Sequence, residues 1–441
     1  MMPGSVATAE SSVTQHALLI DPLVRRARAH IAWRLLPFVS LLYLIQHIDR
    51  FNVSFAALRM KAELGLSDSA YGFGASIFVF AYVIFEIPGV ILIERWSARK
   101  WVARIMVSWG MVTVLTAFIH NATQFYLVRF FLGVAEASFF PGIIVYLTHW
   151  FTTKDRARAV AAFYVAAPVA VFLGSAIAGS VLNVHWMGMS GWRWLFIIEG
   201  IPAILLGVVT FFYLTDRPSQ AKWLPEDERS WITITLATEL AAKNSRGRLS
   251  FLDACKDSRT VLLVAGYFFF LMGSITNAFW LPTFLQRLSS LPPSTVARLV
   301  MLASIGGILG LILNSWSTDR LGEYKWHTIV PVLAAGCCYL LVSAASGQLL
   351  VVVILFTLYY FFSQSVYPSF WGIPATFLSE TTAAAAFGLI ASVGGLGSFL
   401  GPSIVGYLND RTHSLHPSLI FIGCSFLASA LILSFVRVSR R

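Results

Sequence analysis

Apolar positions in this chain come in long runs set apart by short polar breaks, without the strict alternation of a half-buried strand. Twelve runs stand out, near 33–57, 70–93, 102–120, 124–150, 159–183, 193–214, 260–286, 294–317, 327–346, 349–372, 383–408 and 417–436, the third, ninth and tenth being plain apolar stretches. About 20 residues at 1.5 Å each cross the ~30 Å hydrocarbon layer of a bilayer, and lipid tolerates no unpaired backbone group. Each run therefore predicts a spanning helix. Runs of this length exclude a barrel, whose strands need only ~10 alternating residues. The pattern predicts an all-α membrane protein with twelve transmembrane helices.

Composition agrees. Of 441 residues, 57% are hydrophobic and 12% charged, against roughly 45–50% and about 25% in soluble domains, so a water-soluble globular protein is excluded. The net charge of +11 raises nucleic acid as a partner, and its placement dismisses it. With the N-terminus inside, 24 of the 32 Lys and Arg residues fall on the cytoplasmic side and 6 on the other, while Arg50 and Arg129 lie within spans. This asymmetry is the positive-inside signal and predicts that both termini are cytoplasmic, in a plasma membrane of the bacterial inner-membrane kind. The first 30 residues lack the basic start, apolar run and cleavage site of a signal peptide. Cys255, Cys337, Cys338 and Cys424 have no metal-ligand or CxxC spacing and read as small core residues. No metal or cofactor is expected.

The stretch 215–259 divides six spans from six. The predicted organisation is a tail (1–30), a first six-helix bundle (31–214), a cytoplasmic central loop (215–259), a second bundle (260–437) and a tail (438–441). Within the loop, Pro225 to Ala242 suits an amphipathic helix with Glu226, Asp227 and Glu228 in its first turn, where the helix dipole favours acids; the loop as a whole reads as a solvated linker resting on the inner membrane face. An internal repeat supports the division. Glu94-Arg95-Trp96-Ser97-Ala98-Arg99-Lys100 follows span 2, and Thr318-Asp319-Arg320-Leu321-Gly322-Glu323-Tyr324-Lys325 follows span 8, 225 residues later. Two related halves suit a carrier whose halves rock around a central site.

These loops, the six-plus-six topology and the central loop resemble the major facilitator superfamily. Ile48-Asp49-Arg50-Phe51-Asn52-Val53, Gly191-Trp192-Arg193-Trp194-Leu195-Phe196 with Glu199-Gly200, Asn277-Ala278-Phe279-Trp280-Leu281-Pro282 and Phe370-Trp371-Gly372-Ile373-Pro374 resemble its anion:cation symporter family of tartrate, phthalate, hexonate and hexarate permeases. The resemblance implies a secondary transporter of a small organic carboxylate, with protons as the coupled ion and lipid as the remaining partner.

A charge inside a span costs ~2.5–3.5 kcal/mol or more and marks function by default. Six stand out: Asp49, Arg50, Glu86, Arg129, Glu136 and Glu199. Glu86 and Glu199, nearer the span ends, read as structural pairs or gates. Asp49 and Arg50 are adjacent and point ~100° apart, while Arg129 and Glu136, seven apart, share one helix face. Arginine offers a planar fork that matches a carboxylate. Burial raises a carboxyl's pKa and a nearby arginine lowers it, so a conformational change turns proton binding into a switch. The residues thus point to Arg50 or Arg129 as substrate anchor and Asp49 and Glu136 as proton carriers; the resemblance implies Arg50 as the substrate contact and Arg129 as the partner modulating Glu136. The second half contributes no membrane-embedded charge, Arg298 being counted on the far side, so its substrate contacts come from Asn277, Trp280, Tyr359, Gln364 and Trp371, joined by His47 and Tyr82 from the first. In span 11, Ala391-Ser392-Val393-Gly394-Gly395-Leu396-Gly397 lacks the asparagines frequent in that family, which favours a less hydroxylated acid. Arg95, Arg99, Asp319 and Arg320 are expected to make inter-helix gating contacts, and glycines 306, 307, 310, 397 and 401 to mark close helix contacts.

The expected activity is proton-driven import of a carboxylate by a monomer, with an organic anion or phosphate exchanger or uniporter as the alternative. Enzyme motifs of the H-E-x-x-H, G-x-S-x-G and GxxxxGK kinds are missing, so an enzyme is not expected.

Overall fold

The computed structural model describes residues 5–244, 257–345, 348–377 and 380–437. Its helices are α1 (Ser5–Leu64), α2 (Asp68–Arg95), α3 (Ala98–Thr116), α4 (Ala122–Glu136), α5 (Phe139–Thr148), α6 (Thr153–Tyr164), α7 (Ala166–Val181), α8 (Gly191–Tyr213), α9 (Glu226–Asn244), α10 (Ser258–Ser289), α11 (Pro293–Leu321), α12 (Trp326–Ala344), α13 (Leu349–Gly372), α14 (Glu380–Gly395), α15 (Gly397–Thr412) and α16 (His416–Ser434). Eleven stretches among the described residues are long and apolar enough to cross a membrane. The twelfth span is α3. Far from a plain apolar run, it opens with Arg99, Lys100 and Arg104 in its first two turns, at the depth where basic side chains reach water.

Three spans are interrupted. Span 4 breaks between α4 and α5, where Ser138 adopts φ 68°, a left-handed conformation rare outside glycine. Pro141 has no N–H to give the carbonyl of Ala137, four residues back; that carbonyl accepts instead from the Ser138 hydroxyl. Span 5 is α6 and α7, and span 11 is α14 and α15. A two-residue hairpin, β1 (His185–Trp186) and β2 (Met189–Ser190), joins spans 5 and 6 through Met187 and Gly188, both at positive φ; no run of apolar residues announced it.

With twelve spans, α1 starts and α16 ends on one face, termed proximal; the opposite face is distal. Glycines set the close helix contacts as expected. A Cβ at Gly310 would lie 2.0 Å from the Phe361 carbonyl of α13, and one at Gly397 2.0 Å from the Phe268 carbonyl of α10. Leu309, Ile312, Leu313 and Trp316 of α11 face outward, as lipid-facing positions do. So do Cys337 and Cys424, and of the described cysteines only Cys338 is buried. The reading of all the cysteines as core is thus corrected for these two, because a thiol is apolar enough to face lipid. Cys255 and the tail 438–441 lie outside the described residues, as do 245–256 of the central loop.

The amphipathic helix expected in that loop is α9, and it is docked rather than loosely solvated. Glu228 is fully buried and takes Arg26 at 2.6 Å and His30 at 2.8 Å, both from α1. At the other end of α9, Glu239 accepts from the Thr153 N–H at 3.0 Å. The acidic first turn therefore pins the linker to the first bundle.

Candidate functional site

Span 1 organises the site because its polar residues point three ways at helical spacing. Gln46 and Arg50, four apart, reach Glu136 at the end of α4. The Arg50 Nε lies 3.2 Å from the Glu136 carboxylate, the Gln46 amide donates to the same oxygen, and Glu136 has no exposed surface. The Arg50 guanidinium also lies over the Tyr82 ring, 4.4 Å from its centroid. Asp49 and Asn52, three apart, face α3: Asp49 accepts from Thr113 Oγ1 at 2.6 Å and from Asn52 Nδ2 at 2.8 Å. His47 and Phe51, four apart, face a cavity between the halves.

Arg129 is 1% exposed and lies over the Phe78 ring at 4.4 Å. Its Nε donates to the Gly74 carbonyl at 3.3 Å, and neither Nη1 nor Nη2 has a hydrogen-bond partner. The ion-pair partner of Glu136 is therefore Arg50, while Arg129, expected to modulate Glu136, makes no ion pair with it and acts on it through its charge. The seven-residue spacing puts Arg129 and Glu136 on one face but 10.5 Å apart along the axis, whereas Arg50 approaches sideways from α1. Phe279 lies 5.6 Å from Phe51 and 5.7 Å from the Arg129 guanidinium, so an aromatic layer stands between Arg129 and the cavity wall.

The cavity has a volume of about 100 Å³. His47, Phe51, Asn52 and Glu199 line it from the first half, and Asn277, Tyr359 and Gln364 from the second, beside Ser274, Ser363 and Tyr367. Four of the aromatic and polar candidates, His47, Asn277, Tyr359 and Gln364, thus meet there. Three do not. Tyr82 faces Arg50. Trp280 is fully buried toward the distal face, at 5.1 Å from Tyr71, with its Nε1 donating to the Pro402 carbonyl. Trp371 packs against Tyr267 at 5.3 Å and Phe387 at 5.6 Å. An aromatic residue beside the site in sequence packs on whichever helix is nearest, and the run carries no sign of which.

Glu86 is half-buried on α2. Glu199, read from the sequence as a gate or structural pair, lines the cavity together with Asn52, and its Oε2 has no hydrogen-bond partner. Of the loop residues, Arg95, Asp319 and Arg320 are exposed, and Arg320 covers Trp316 of its own helix. Arg99 lies over Phe211 of α8. The anchor of the first loop is Asp216, which accepts from Ser97 Oγ at 2.8 Å and from the Arg99 N–H at 2.9 Å. In the second loop Glu323 caps α12 through the Trp326 and His327 N–H groups. Burial pushes its carboxyl up, and these donors more than offset it, leaving it below the ordinary carboxylate range.

A reciprocal latch joins the halves at the distal face. Asp68 of the first half is 5% exposed and pairs with Arg287 of the second at 2.6 Å, with Lys61 on its other side. Asp410 of the second half accepts from the Asp68 and Ser69 N–H groups at 3.0 and 2.7 Å, capping the start of α2 from across the interface. Tyr71 OH donates to the Phe279 carbonyl at 2.8 Å, and a Cβ at Gly72 would lie 2.4 Å from the Pro402 carbonyl. In sequence Ser67-Asp68-Ser69 looks like any helix start, so nothing marked the latch. Nearby, Arg193 pairs with Glu63 at 2.9 Å and donates to the Ala117 carbonyl at 2.6 Å, which gives the Gly191-Trp192-Arg193 motif a structural reason.

The family model described as Major Facilitator Superfamily matches residues 39–402. A protein of Agrobacterium vitis named "Putative tartrate transporter" is 40% identical over 413 residues, 93% of this chain and 94% of its own. "Putative metabolite transport protein NicT" of Pseudomonas putida is 36% identical over 94% of this chain and 95% of its own. Among solved structures, the xylose transporter XylE from E. coli superposes with a TM-score of 0.73 at 14% identity, over 93% of this chain and 99% of that one.

Proposed function

Because this chain belongs to the major facilitator superfamily, we propose that it imports a small organic carboxylate together with protons, by alternating access. It is a transporter and not an enzyme. The carboxylate class is supported by the relative named for tartrate and by two arginines at the centre of the first bundle. The observation that carries proton coupling is the Arg50–Glu136 pair, 3.2 Å apart with Glu136 fully buried. An ionised Glu136 holds Arg50. A protonated one releases it, and the freed guanidinium then takes the substrate carboxylate through its fork. Proton and substrate are in this way bound together or not at all. Arg129, with two unbonded terminal nitrogens, supplies further donors once the Phe51–Phe279 layer parts, and His47, Asn277, Tyr359 and Gln364 make the neutral contacts.

The proximal face is the cytoplasmic one, since the 24 to 6 distribution of basic residues follows the positive-inside rule, and the membrane is the plasma membrane. The latched distal face then makes this the state closed to the outside.

Uptake of labelled L-tartrate and a panel of other carboxylates into proteoliposomes tests the reading. Accumulation driven by an imposed proton gradient, and abolished by an uncoupler, is the expected result. Uptake indifferent to the gradient that requires a loaded interior would make the protein an exchanger instead.

A further inference from the structure

Five charged side chains gather at the centre of the first bundle: Asp49, Arg50, Arg129, Glu136 and Glu199. Two arginines balance two carboxylates, and each of those carboxylates is bonded, Asp49 by Thr113 and Asn52 and Glu136 by Arg50 and Gln46. Glu199 is the remainder. It is 5% exposed, its Oε2 has no hydrogen-bond partner, and the charge acting on it is that of Asp49, of the same sign. Asn52 lines the cavity with Glu199, donates to Asp49 at 2.8 Å, and has its own Oδ1 without a hydrogen-bond partner. Among the described residues, the other groups that line the cavity include no Lys or Arg. From α10 and α13 come Ser274, Asn277, Tyr359 and Tyr367, from α3 comes Thr113, and from α1 comes His47, whose Nδ1 is also unbonded. A buried carboxylate with neither a cation nor a full set of donors is strongly disfavoured against its protonated form.

We propose that Glu199 holds an exchangeable proton, and that Glu199, Asn52 and Asp49 form a second proton site on the cavity wall, on a different face of α1 from Arg50 and Glu136. The proton leaves the Glu199 carboxyl for a water in the cavity and leaves a carboxylate beside Asp49. Two like charges with no cation beside Glu199 then favour its return, so the site takes up one proton per cycle whatever Glu136 does. This rests on the proton-coupled reading above, and goes beyond it by adding a second carrier.

Infrared spectra of the full-length protein in nanodiscs at neutral pH test it without any substrate. Glu199→Gln is expected to lose one band in the C=O stretching region of protonated carboxyls, Glu199→Asp to retain a band, and Asn52→Ala to shift its frequency. If Glu199→Gln does not fold, the Glu199→Asp and Asn52→Ala shifts decide alone. In proteoliposomes with L-tartrate as probe, Glu199→Gln is expected to carry one proton fewer per substrate than wild type. A Glu199→Gln spectrum that retains every protonated-carboxyl band overturns the proposal, as does an unchanged proton ratio. If wild-type uptake ignores the proton gradient, the symport reading fails, while the infrared result still decides whether Glu199 holds a proton.

Discussion

Opening the distal face requires breaking the latch, and Asp68→Asn weakens it with little change of shape. Asp68 is 5% exposed and bound by Arg287 at 2.6 Å and by Lys61. Halving a buried ion pair costs ~3–5 kcal/mol, but the Arg287 side chain is 41% exposed and solvent screens its share. A loss of about 1–2 kcal/mol follows for the closed state, so the distal-open population rises about 5- to 30-fold. Asp410→Asn acts from the other side by removing the negative charge that caps α2 and leaving one acceptor for two N–H groups. The assay is the labelling rate of a cysteine placed at Ser76, which has no exposed surface and bonds Ser403 across the interface at 2.7 Å. In a background with the four native cysteines replaced, an impermeant maleimide added from the distal face reads the open population. Labelling that stays at the parental rate in both variants would show that the latch does not hold the halves together.

Arg50→Lys retains charge but not the fork, and loses the planar contact with Tyr82; initial uptake is expected to drop ~10-fold or more, one charge-assisted hydrogen bond being worth ~1.5–3 kcal/mol. Near-normal uptake removes Arg50 from the site. Glu136→Gln is expected to abolish accumulation against a gradient while exchange of internal for external substrate continues, and intact accumulation contradicts its role. Ser138→Gly, suited to φ 68°, is expected to fold and transport, whereas Ser138→Val meets both the left-handed backbone and the Gly89 contact and should destabilise by about 2 kcal/mol, read as a lower melting temperature. Equal stability of the two variants refutes the strain argument.

Much of this was legible in the chain. Long apolar runs announce spans because lipid leaves the backbone no other partner, and Asp49, Arg50, Arg129 and Glu136 announced themselves because they are the charges deep inside their runs, Arg34 lying at the very start of the first. Their pairing was not legible. Spacing along one helix relates Arg129 to Glu136, but the shorter link comes from Arg50 on another helix, and only packing fixes that. Thr113 and Asn52 are ordinary polar residues until the fold sets them beside Asp49. Glu199 lies near a span end in sequence, yet it is the α8 residue that lines the cavity. The latch was least visible, since its acids look like routine helix-start and surface residues and its bonds join positions more than 200 apart.

The break in span 4 also bears on the mechanical cost of transport. A straight helix that bends at mid-membrane must give up backbone hydrogen bonds where no water replaces them, at several kcal/mol each. At Ala137 that bond is already missing, since Pro141 offers no donor and the carbonyl is turned to a neighbouring hydroxyl. The segment α5 can therefore swivel against α4 like a door on a pin that was cut beforehand, and Glu136 stands on the last turn before the pin. Motion of the proximal half and the state of that one carboxyl are joined by a single peptide unit.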